Sequence, residues 1–265
     1  MPREEPASGG AARSTSSATA KGAGVAPIEW LVLAAGALLV MLAFAGSALD
    51  LPPGVRFWDN FHWTCAYGTA FVTTALGVRR ASGPSRAMRQ WWAVGFGALT
   101  AGQLAWDVQV FAGWNPFPGP SDLFFLMVAP AFAVGLLTRL RGEGRAVVGT
   151  IVLDALGLAF VFAALSLTLY LPRGGSLEGL PFLVLVAYPV GFLGVAGLQF
   201  AIIVERRERL DPGQLLFFLA WVANGALWMW WNSLTLDDAL GDGLAINYLL
   251  SIDVLLLAVA SALFD

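Results

Sequence analysis

Six side chains that could do chemistry lie inside or at the edges of long apolar runs: Asp59, His62, Asp107, Asp122, Asp154 and Asp253. An ionisable group in such a place is costly unless it holds a proton, a cation, a neutral hydrogen-bond donor or water. No Lys or Arg falls at comparable depth. Asp154 sits in the inner half of the fifth run and Asp253 near the middle of the eighth, both too deep to cap a helix. Either they hold packing hydrogen bonds, or they titrate or bind a cation. Asp122 follows Pro120-Ser121 at the start of a run, where Ser121 or Asp122 is expected to cap the helix. Asp59 and His62 are three residues apart and so share one helix face.

Several chemistries are set aside. The only lysine, Lys21, lies outside the apolar runs, so no helix offers an amine for a Schiff base. One Cys and one His make neither a disulfide nor a Cys/His metal pattern, and no GxGxxG, P-loop, HExxH or GxSxG motif occurs. No catalytic residue, cofactor or metal is therefore expected, although a lone imidazole could in principle ligate a pigment metal. The chain carries 11 Trp. They suit an interfacial aromatic belt, or the walls of a pocket that adds a few polar groups to an apolar lining. The expected ligand-binding set is His62, Trp106, Asp107, Asp122, Trp228 and Asn232, with Asp107 facing the bundle axis and Trp106 packed at its flank.

The elements that must position these residues follow from composition. The 265 residues are 58% hydrophobic and 12% charged, against about 25% charged in ordinary soluble domains. Mean hydropathy is +0.71. An integral membrane protein is expected. Residues 1–27, rich in Ala, Gly, Ser and Thr, read as a flexible cytosolic tail; residues 28–265 read as the transmembrane domain. Apolar runs cover 28–49, 57–78, 91–112, 121–138, 146–171, 180–204, 213–235 and 244–264. Each approaches the ~20 residues that cross a bilayer as a helix. Pro52-Pro53, Gly83-Pro84, the prolines at 116, 118 and 120, Gly174-Gly175 and Asp211-Pro212-Gly213 separate them. The expected fold is all-α: a polytopic membrane helix bundle with eight transmembrane helices.

Thirteen of the 15 basic residues lie in the tail and in the connections 79–90, 139–145 and 205–212; the others are Arg56 and Arg173. Positive charge marks the cytoplasmic side, which puts both termini in the cytosol. A small-molecule cavity is then expected in the outer half, away from the arginine-rich turns. Short cytosolic turns pair the second and third, fourth and fifth, and sixth and seventh helices as hairpins. A weak self-similarity near sixty residues, with Ala129-Pro130 and Tyr188-Pro189 in matching places, fits duplication or the chance likeness of apolar helices.

The segment Asn115-Pro116-Phe117-Pro118-Gly119-Pro120-Ser121-Asp122-Leu123-Phe124-Phe125-Leu126 resembles a recurrent element of bacterial polytopic sensory regions. So do Leu153-Asp154-Ala155, Tyr188-Pro189 and Asp253. Such regions precede GGDEF, EAL or histidine-kinase domains, and the resemblance spans residues 30–264. It departs in two places: Phe192 stands where an aspartate usually follows the Tyr-Pro step, and no such effector domain is among these residues. The resemblance implies a non-enzymatic sensory input domain in a bacterial inner membrane. It would relay a small hydrophobic or amphipathic ligand, or a membrane condition, to a cytosolic output domain or partner protein. Its expected surroundings are the lipid bilayer and no nucleic acid; a homodimer stays open. Two other classes stand beside it: a non-catalytic membrane subunit or scaffold, and a transporter or proton-linked channel using Asp154 and Asp253.

Overall fold

A computed structural model describes residues 24–173 and 179–264, which leaves most of the tail outside it. The described residues are helical with no strand. The helices are α1 (Pro27–Ala48), α2 (Val55–Arg80), α3 (Gly83–Phe111), α4 (Pro120–Phe125), α5 (Val128–Leu137), α6 (Arg145–Tyr170), α7 (Leu180–Arg206), α8 (Pro212–Leu236) and α9 (Ala245–Leu263). A 3-10 turn, Thr138–Leu140, extends α5. The expected fourth span is therefore one rod broken at Leu126-Met127.

Local chemistry sets the ends. Pro27, Pro84, Pro120 and Pro212 stand in first turns, where a missing N–H costs nothing. Asp211 caps α8 by accepting from the Gln214 N–H at 2.8 Å. Arg207 ends α7 in the left-handed region at φ 51°.

Six rods are long and apolar enough to cross a membrane: α1, the α4–α5 rod, α6, α7, α8 and α9. The other two rods expected as spans, α2 and α3, fall short of that mark. Both are long, but polar residues lower their hydropathy. In α2 these include Asp59, Asn60, His62, Thr69, Thr73 and Thr74, all buried.

The rods close a ring. α2 packs on α3, α3 on α4 and α5, α5 on α7, α7 on α8, α8 on α9, and α9 back on α2. α1 lies outside against α2 and α9, and α6 lies outside against α7. The expected pairing of the fourth and fifth spans is thus corrected: α6 leaves its turn to pack on α7. The reason is a small-residue face on α7. A Cβ on Gly197 would come within 3.1 Å of the Leu158 side chain, so glycine here lets α6 approach without displacing it.

Inside the ring, the half toward the arginine-rich turns is filled by rings. Trp92 stacks on Phe217 at 4.6 Å and meets Phe264 edge-on at 5.0 Å, and Phe132 meets Trp221 at 4.8 Å. Such pairs add to simple burial. The other half is open.

Candidate functional site

That open half is a cavity of about 560 Å³ to which every rod of the ring contributes. Its walls are mostly aromatic: Trp63 and Tyr67 from α2, Trp106 from α3, Tyr188 from α7, and Trp228 and Trp231 from α8. Trp228 stacks on Tyr188 at 5.0 Å. At the mouth, Arg56 pairs with Asp242 at 3.2 Å, both well exposed.

Two buried carboxylates line the cavity, Asp59 at 5% exposure and Asp122 at 7%. Asp59 accepts from the Gly243 N–H at 2.8 Å and from Asn247 Nδ2 at 3.1 Å to each of its oxygens. Asp122 sits in the first turn of α4 and accepts from the Gly119 N–H at 2.6 Å, a capping role. Its other oxygen accepts from the Tyr188 hydroxyl. The preceding loop is held by Gln109, whose Oε1 accepts from the Ser121 N–H at 3.1 Å while its Nε2 donates to Asn115 Oδ1 at 3.2 Å.

The sequence-predicted residues divide. Trp106, Asp122 and Trp228 line the cavity together. Asp107 and Trp106 exchange the expected places: Trp106 faces the cavity, and the Asp107 carboxylate turns to the α2–α3 seam. There it accepts from Thr64 Oγ1 at 2.7 Å and from Gln103 Nε2 at 2.8 Å. Two hydroxyl and amide donors on that seam satisfy a carboxylate better than the aromatic wall would. His62 stands behind Asp59 and not on the lining, with Nδ1 2.8 Å from Ser251 Oγ and Nε2 3.4 Å from Asp59.

Asn232 also falls outside the lining, fully buried. Its amide donates to the Leu185 carbonyl at 2.8 Å and toward the Tyr170 hydroxyl at 3.3 Å. Pro189 inside α7 has no N–H to give to that carbonyl four residues back, so Asn232 supplies the missing donor.

The two deep aspartates part company. Asp253 is buried and accepts from Asn224 Nδ2 at 2.7 Å across α8 and α9. Asp154 is exposed on the outer face of α6 beside Leu153, and no described residue bonds to it. No group of three His, Cys, Asp or Glu side chains that could hold a metal occurs among the described residues.

At the far end the arginines do more than mark a side. Arg89, 3% exposed, donates to the Ser261 carbonyl at 2.6 Å and the Phe264 carbonyl at 2.5 Å. Arg80 donates to the Ala262 carbonyl at 2.6 Å and pairs with buried Glu29 at 3.0 Å. The last turn of α9 is thus held by charged donors from α2 and α3. Sequence reasoning missed these roles, along with those of Asn247 and Gln103.

Compared with protein-family models, curated proteins and solved structures, the chain matches none of them.

Proposed function

We propose that this chain is a membrane sensory input domain, in which occupancy of the aromatic cavity biases α9 and α9 passes that bias to a cytosolic output. The observation that carries the reading is the reach of α9. Its first turn lines the cavity through Asn247, and its last turn is gripped by Arg80 and Arg89. A ligand that prefers one placement of α9 would shift the equilibrium between placements by its difference in affinity.

In this reading all eight rods cross a bacterial inner membrane, with both termini in the cytosol and the cavity on the outer side. The reading is supported by the basic residues, which gather in the turns opposite the cavity. It is supported too by the contact between Tyr188 and Asp122, which joins two segments that carry the resemblance to sensory regions.

The test is a cavity-filling substitution, Val110→Trp, followed by hydrogen exchange over residues 258–264 in lipid nanodiscs. A relay changes protection at that far end. Unaltered exchange there, with the cavity filled and the fold intact, would refute the relay.

A second reading, a membrane subunit held in a complex, is favoured by α6. Phe160 is 74% exposed, Leu153 69% and Val161 60%, and the exposed Asp154 lies two turns before Val161 on one face. A partner helix carrying a basic residue would complement that face. Co-purification of one fixed partner, lost in Asp154→Leu, is the outcome that this reading requires.

A further inference from the structure

We infer that the cavity is built for a protonated primary or secondary amine carried on an apolar body; this rests on the reading of the cavity as a ligand site. Four observations converge.

The first is charge. Arg56 and Asp242 neutralise each other at the mouth, leaving Asp59 and Asp122 as the carboxylates of the lining. Both are buried; backbone N–H groups, an amide and a phenol donate to them, and the His62 ring nitrogen stands 3.4 Å behind Asp59. A cation entering this space meets attraction that little solvent screens.

The second is the walls. Trp63, Trp106, Trp228 and Trp231 line the cavity, and indole rings favour an ammonium group and an apolar body and do nothing for an anion.

The third is acceptor capacity. Asp122 lines the cavity and accepts one hydrogen bond at each oxygen, from the Gly119 N–H and from the Tyr188 hydroxyl. A carboxylate offers about four acceptor positions, so a ligand with N–H groups to give can fill the rest. That capacity favours a protonated amine over a quaternary ammonium, which has the charge but no N–H.

The fourth is size. A volume of about 560 Å³ is within the range of small-molecule sites.

The test uses the full chain in nanodiscs and titrates four phenylethyl probes by calorimetry: 2-phenylethylammonium, its N,N,N-trimethyl derivative, 2-phenylethanol and 3-phenylpropanoate. Saturable binding is expected for the primary ammonium, at least tenfold weaker binding for the trimethyl form and the alcohol, and none for the carboxylate. Asp59→Asn keeps the shape of the side chain and removes its charge; it should weaken the primary ammonium at least tenfold. Asp154→Asn, away from the cavity, should leave it unchanged. Binding of the alcohol or the carboxylate as tight as the amine overturns the assignment, as does an unchanged affinity in a folded Asp59→Asn.

Hydrogen exchange over 258–264 separates this failure from failure of the relay. Amine binding with no change there leaves the amine assignment standing and defeats the relay. A change there on filling the cavity, in a protein that ignores the amine, defeats only the amine assignment.

Discussion

Asn232 stands in for a backbone N–H that Pro189 lacks. Its amide lies 2.8 Å from the Leu185 carbonyl, the acceptor four residues before the proline. A proline inside a helix leaves that oxygen without its regular partner. Here a side chain from the neighbouring helix restores the bond and joins α7 to α8 beside the cavity.

Asn232→Leu should therefore destabilise the protein by about 1–3 kcal/mol, the cost of leaving a buried acceptor unpaired. Pro189→Ala should relieve much of that loss, because alanine returns the N–H. A double-mutant cycle on thermal unfolding in detergent checks it. Purely additive effects would show that the two residues are not coupled.

The two deep aspartates should respond oppositely to leucine. Asp253→Leu leaves the Asn224 amide without its acceptor and should cost about 1–3 kcal/mol. Asp154→Leu exchanges an exposed carboxylate with no bond among the described residues for an apolar side chain, and should lose no stability. Parallel melting curves read both. Equal losses would contradict the separation of roles.

Arg89→Met removes two charge-assisted bonds to the end of α9. Hydrogen exchange over 259–264 should quicken while the first turns of α9 stay protected. Uniform quickening along the helix would mean that Arg89 supports the whole bundle instead.

Topology has its own measurement. Reporter fusions after residues 85, 143 and 208 should read cytosolic, and those in the 112–119 and 237–244 loops periplasmic. A cytosolic signal from either loop would place the cavity on the wrong side of the membrane.

The rods and their ends were legible in the sequence because apolar runs, prolines and arginine-rich turns are local signals. The packing of α6 was not. A short turn suggested α5 as its neighbour, while its contacts are with α7, where Gly197 and Gly194 meet Leu158 and Ala159. For the site, Trp106, Asp122 and Trp228 could be found as aromatic or acidic residues near one end of the runs. Asn247 could not, since a neutral amide in a helix carries no sign of what it meets. Its partner Asp59 is 188 residues away. His62 and Asn232 were singled out for their polarity, and the structure spends that polarity on joining helices.

The parallel helices α2 and α9 meet at three rungs: Asp59 with Asn247, His62 with Ser251, and Arg80 with the Ala262 carbonyl. Bonds of this length tolerate only a few tenths of an ångström, whereas one residue of helix advances about 1.5 Å. Sliding α9 along α2 by a single residue would therefore strain all three rungs together. In the proposed relay the pair would act as a detent: small pushes from the cavity would be absorbed without travel, and a push large enough to free α9 would move it by a full notch, so that a graded stimulus would emerge at the far end as a step.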